Sequence, residues 1–109
     1  MASDLIINVT EADFQAHVLD SDQPVLVDFW ATWCAPCKAL APKIADVAGA
    51  FEGRARVVKL DIDKNRKIAM NYNVRSIPTL IVFKNGEAVG SAVGNVDKDK
   101  IEQMLTEAL

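Results

Sequence analysis

The sequence predicts an α/β fold: a central mixed sheet, mostly parallel with one antiparallel hairpin, and helices on both faces. Three observations carry that prediction. Apolar residues alternate along the chain between strand-like and helix-like pieces. The run Val25-Leu26-Val27-Asp28-Phe29-Trp30 is nearly continuous in apolar residues, as a strand covered on both faces requires. Asn85-Gly86, between two strand-like runs, is a strong two-residue hairpin signal.

The elements follow in order. Residues 5–9 read as a short strand. Thr10 is placed to cap a helix, with Asp13 where a capping box puts Glu or Gln, and Phe14 and Val18 share one face of that helix. Ser21-Asp22-Gln23-Pro24 is a break before the central strand. After Cys34 the period becomes helical, with Leu40, Ile44, Val47, Ala48 and Phe51 in one stripe. Pro42 falls inside this helix, where its ring crowds the carbonyl of Lys38 and a kink is expected. Gly53 marks the exit, residues 55–61 form a third strand, and residues 65–72 a short helix with Ile68 and Tyr72 four apart. Pro78 opens the strand 79–83, the partner strand returns over 87–93, and Gly94 ends it. Asp97 is the expected cap of a last helix whose stripe is Ile101, Met104, Leu105 and Ala108. The order is βαβαβα followed by ββα, in which strand–helix–strand units imply parallel neighbours.

The chain's 109 residues are half apolar and a quarter charged, so residues 1–109 are expected to form a single domain with a real core. Twelve basic and fifteen acidic residues give a net charge of −3 with no basic stretch, which argues against a nucleic-acid partner. No apolar run approaches the ~18 residues of a bilayer span. The start, from Met1 to Leu5, has no basic region and shows no secretory signal. A cytoplasmic protein without a membrane partner is expected.

The two cysteines, Cys34 and Cys37, form one Cys-x-x-Cys unit. The loop they close is too small to be a useful staple, so the pair reads as chemical rather than architectural. It lies between the central strand and the kinked helix, where α/β sheets gather their sites. A helix beginning near Cys34 stabilises an anion there and lowers the thiol pKa. Cys37, a turn further in, is expected to be more buried and to hold its proton longer. That asymmetry suits a dithiol exchanger: Cys34 attacks as thiolate and Cys37 resolves the mixed disulfide. Pro36 suits the helix start, because its missing N–H would be an orphan there. A structural zinc site needs four ligands, and the chain offers two Cys and one His, His17, on an exposed helix face; no metal is expected.

Asp28 interrupts a strand that should be buried on both faces. Desolvation should raise its pKa, and such a carboxyl can take the proton of Cys37 as the mixed disulfide resolves. Lys59, among Val57, Val58 and Leu60, is the natural charged neighbour and is expected to modulate Asp28. The bland reading is a structural ion pair. Lys38 and the cluster Asp61, Asp63 and Lys64 read as solvated surface.

Phe29-Trp30-Ala31-Thr32-Trp33-Cys34-Ala35-Pro36-Cys37-Lys38 resembles the active site of the thioredoxin family. Ser76-Ile77-Pro78-Thr79-Leu80, Phe83-Lys84-Asn85-Gly86 and Val93-Gly94 resemble further family segments, in order and over nearly the whole chain. The resemblance implies a thioredoxin-like fold and a protein-disulfide reductase acting through the Cys34-Ala35-Pro36-Cys37 dithiol. It implies that Ile77-Pro78 is a cis-proline pair beside the cysteines, and that Trp33, Ala35, Pro36, Ile77, Pro78, Val93 and Gly94 form the substrate-docking rim. For Ile77 and Val93, ordinary core is the competing reading. Asp28 and Lys59 match buried positions of the family. The resemblance further implies no bound cofactor, regeneration by thioredoxin reductase (an NADPH-dependent flavin enzyme), disulfide-containing protein substrates and a monomer. The sequence departs at Ala35, Asn73 and Ser76, where Gly is common, and at Asn95, where Ala is common. Ala35 bears on the redox potential, and Ser76 and Asn95 on partner choice. The rivals are an oxidant or isomerase of the same fold, and a binding subunit that uses the groove without turnover.

Overall fold

The computed structural model describes residues 2–109; Met1, the first residue of the segment read for a leader, lies outside them. Five strands form one sheet: β1 (Ile6–Asn8), β2 (Val25–Trp30), β3 (Arg56–Asp61), β4 (Thr79–Lys84) and β5 (Glu87–Val93). Their order is β1-β3-β2-β4-β5. β3 pairs in parallel with β1 and β2, while β4 runs antiparallel to both β2 and β5. The antiparallel share therefore exceeds the hairpin. The helix α2 (Arg66–Asn71) joins β3 to a strand of opposite sense, so the parallel rule fails for that third unit.

Two layers cover the sheet. α1 (Ala35–Ala50) and α3 (Lys98–Ala108) lie on one face. The stripes read from the sequence are buried there: Leu40, Ile44 and Val47 of α1, and Ile101 and Leu105 of α3, meet Leu26 and Leu80 of the sheet. α2 and a short helical segment cover the other face, where Phe14, Val18, Val27, Phe29 and Phe83 form the second layer. The helix expected after Thr10 is instead a π-helical segment, Gln15–Leu19. Its entry is fastened by Asp13, whose carboxylate accepts from the Thr10 N–H at 2.6 Å and the Thr10 hydroxyl at 3.2 Å. Asp13 thus does the reach-back half of a capping box, and Thr10 does not cap.

The punctuation falls where the residue types demand. Asn85 and Gly86 have φ of 53° and 82°, the two left-handed residues of a type I′ turn. α1 runs unbroken through Pro42. Asp97 occupies the N-cap of α3 without a side-chain bond to its amides.

Candidate active site

β2 ends at Trp30, and four residues later Cys34 takes the N-cap of α1 with extended backbone. Pro36 sits in the helix's first turn, where no N–H is missed. The Cys34 sulfur accepts from the Cys37 N–H at 3.2 Å, so a backbone donor of the helix start points at it. A thiolate at that atom accepts the same bond at the positive end of the dipole, which favours ionisation. Cys34 and Cys37 are joined by a disulfide, with Cα atoms 5.2 Å apart. The expected burial asymmetry is absent in this oxidised form: the two residues are 4% and 3% exposed. What separates them is position, Cys34 at the cap and Cys37 inside the first turn.

Ala31, Cys34 and Cys37 form a small cluster against which Trp30, Ile62 and Ile77 pack. Ile77 also touches the second layer and is half-buried. The Ile77-Pro78 peptide is cis, and the Pro78 carbonyl accepts from the Gly94 N–H at 2.8 Å. That bond draws the end of β5 beside the segment packed on the disulfide. Val93 is 61% and Trp33 66% exposed, too open for the core reading of Val93. Ala35 and Pro36 are exposed as well. At Asn73 the φ is 59°, a left-handed position that Asn tolerates in place of Gly. Asn95 has a partner: the Lys43 ammonium on α1 donates to its side-chain oxygen and to the Val96 carbonyl, both at 3.0 Å. The loop after β5 is thereby fastened to the helix that carries the cysteines.

Asp28 is wholly buried, and neither carboxylate oxygen has a hydrogen-bond partner. Alternation along β2 puts it on the face of Leu26, toward α1, whose first turn holds Cys37. Desolvation pushes its pKa up from 3.8 to about 6, against the pull of the Lys59 charge. Lys59 is its register partner on β3 but makes no ion pair with it. The Lys59 ammonium instead lies 4.6 Å from the centre of the Trp30 ring. Lys59 also lines two open clefts, of about 350 and 380 Å³, together with Trp30 and Asn8.

Two neighbours were missed in the sequence. The Trp33 indole N–H donates to the Asp63 carboxylate at 2.8 Å, so Asp63 orients the exposed ring. Ile62 packs on the cysteine cluster. Both follow the carboxyl end of β3, which lies beside β2, and the rule that sites gather beyond strand ends could have found them. His17 is far from this constellation in sequence and pairs with Asp13 at 3.9 Å. Among the described residues, no three His, Cys, Asp or Glu side chains gather into a metal-holding group, and no helix is long and apolar enough to cross a membrane.

Comparison with known proteins matches the family model described as thioredoxin to residues 5–107. Thioredoxin 1 of Nostoc sp. is 48% identical over 101 residues, covering 93% of this chain and 94% of that protein. The thioredoxin of Pseudomonas aeruginosa is 46% identical over 103 residues, covering 94% and 95%. A thioredoxin of Staphylococcus aureus is 48% identical over 104 residues, covering 95% and 98%.

Proposed function

The chain belongs to the thioredoxin family and is a thiol–disulfide oxidoreductase, and we propose that it reduces protein disulfides with Cys34 as nucleophile, Cys37 as resolving thiol and Asp28 as proton acceptor. In the reduced form, the Cys34 thiolate attacks one sulfur of a substrate disulfide. That bond breaks, the other substrate sulfur leaves as thiolate, and a mixed disulfide forms. Cys37 gives its proton to the Asp28 carboxylate and attacks the Cys34 sulfur. The second substrate sulfur leaves, and two electrons have passed to the substrate. The Cys34–Cys37 disulfide remains.

The observation that supports this reading is the Cys34 sulfur at the cap of α1, accepting a helix-start N–H, on the side of the sheet toward which β2 turns the buried Asp28 carboxyl. Lys59 modulates Asp28 through its charge. Trp33, Ala35, Pro36, Ile77, Pro78, Val93 and Gly94 form the rim that receives the substrate chain. No bound cofactor is needed; an NADPH-dependent flavin reductase, thioredoxin reductase, regenerates the dithiol. The same reading takes residues 1–109 as one domain and the protein as a cytoplasmic monomer.

The test is a pair of variants. Cys34→Ser abolishes exchange, whereas Cys37→Ser accumulates mixed disulfides with substrates, seen as a mass increase removed by dithiothreitol. Trapping by Cys34→Ser instead would reverse the two roles.

A further inference from the structure

An open cleft of about 480 Å³ lies on the α2 side of the sheet, between β5 and the loop that leads from α2 into β4. Its floor includes Ala88, Ser91 and Val93 of β5, and its wall is Asn73, Arg75 and Ser76. One end is the disulfide end, because Val93 and Ser76 adjoin the Ile77-Pro78-Gly94 arrangement. From Val93 to Ala88 a strand reaches roughly 15 Å, the length of about four or five extended residues.

The chemistry of the lining is specific. Arg75 carries the only charge among the lining residues, and no acidic side chain faces it there. The Arg75 Nε–H donates to the Asn73 side-chain oxygen at 3.0 Å, which orients the guanidinium. Arg75 makes no other hydrogen bond among the described residues, so its terminal nitrogens keep the fork that takes a carboxylate in two parallel bonds. The Ser76 and Ser91 side chains add hydroxyls, and exposed Val93 adds apolar surface.

We propose that this cleft holds the extended chain flanking a substrate's disulfide and that Arg75 selects an acidic residue in that flank. The inference rests on the disulfide-reductase reading. A substrate disulfide held at Cys34 must lay one flank across the neighbouring surface, and the cleft is the concave surface continuous with Val93 and Ser76. The departure at Ser76 then lies in the recognition path, where a hydroxyl replaces the bare backbone common in the family.

The experiment uses two synthetic peptides with the same intramolecular disulfide, flanked on both sides by Glu in one and by Lys in the other. A neutral small disulfide serves as a third substrate. The wild-type protein shows the lower KM for the Glu peptide. Arg75→Glu raises that KM about fivefold at low salt, the upper end for an exposed ion pair, and lowers the KM for the Lys peptide. Arg75→Gln falls between, kcat stays level, and the difference fades as salt rises. Turnover of the neutral disulfide is the same in all three proteins. Equal KM changes for both peptides, or none, would overturn the selection by Arg75 while neutral-disulfide turnover persists. A wild-type protein that reduces no neutral disulfide would overturn the activity itself, and the cleft assignment with it.

Discussion

The two faces of the sheet are built to different standards. On the α2 face the buried Thr79 hydroxyl is satisfied by the Ser76 carbonyl, and the aromatic rings interlock: Phe83 meets Phe14 at 5.7 Å and Tyr72 at 5.0 Å, both edge to face. On the α1 face the core is equally apolar under the middle and end of the helix, from Leu40 to Phe51. Elsewhere on this face it is not. There the sheet presents Asp28 and Trp30, whose buried polar atoms have no hydrogen-bond partner in the protein, and Lys59 beside Asp28 on the inner strand β3. Unsatisfied buried polar groups are rare because each costs stability. Among the described residues the unpartnered buried side-chain atoms all lie on β2, at Asp28 and Trp30, and that placement fits the proposal that this protein gives up stability there for chemistry.

The largest effect should come from the face without chemistry. Phe83 is 1% exposed and holds both aromatic neighbours. Phe83→Ala is expected to lower unfolding stability by about 4 kcal/mol. Turnover of a small disulfide, measured where the variant is fully folded, should not change. Denaturant melts beside a turnover assay check it, and Phe83→Leu gives a milder variant if Phe83→Ala folds poorly. A turnover loss in step with stability would mean the two faces are coupled.

Asp28→Asn should do the reverse on the other face. The folded-state pKa of about 6 exceeds the ordinary 3.8, so the folded protein binds this proton more tightly. The group's stability is full below about pH 4, falls as pH rises, and is lost beyond about pH 6. The variant removes that slope, and the gain at neutral pH should reach up to about 3 kcal/mol. Disulfide turnover should slow, because the proposed acceptor for the Cys37 proton is gone. Melts from pH 4 to 8 and a turnover profile over the same range test both halves. A variant less stable at neutral pH with normal turnover would remove Asp28 from the mechanism and the contrast between the faces.

Much of this contrast was legible in the sequence. An acid within Val25–Trp30 violates the apolar pattern of a doubly covered strand, and that violation is what brings Asp28 into the proposed site. The helical stripes, the Asn85-Gly86 turn and the cysteine pair were legible too, since each is written in local spacing. Contacts set by strand order were less so. Asp63 reaches Trp33 across 30 residues, and only the adjacency of β2 and β3 explains it. The antiparallel entry of β4 also lies outside periodicity, which fixes a strand's faces but not its direction. The Lys43 clamp on Asn95 joins a half-buried lysine to an exposed asparagine that no pattern links.

The smallest expected effect separates two roles of Lys59. Its ammonium stands over the Trp30 ring, and its charge opposes the desolvation of Asp28. Lys59→Met keeps the apolar stem and removes both. With Asp28 present at pH 8, the substitution should cost about 1 kcal/mol, combining the lost ring contact with the lost attraction to the carboxylate. In the Asp28→Asn background only the ring contact remains to be lost, and the cost should be about half as large. The pH dependence adds a second readout. Without the cation the folded-state pKa of Asp28 climbs further, so the decline of stability with pH should extend to more alkaline values, and the turnover profile should shift the same way. Equal costs in the two backgrounds, with an unmoved profile, would show that Lys59 serves Trp30 alone and that the burial of Asp28 acts without help from its neighbour.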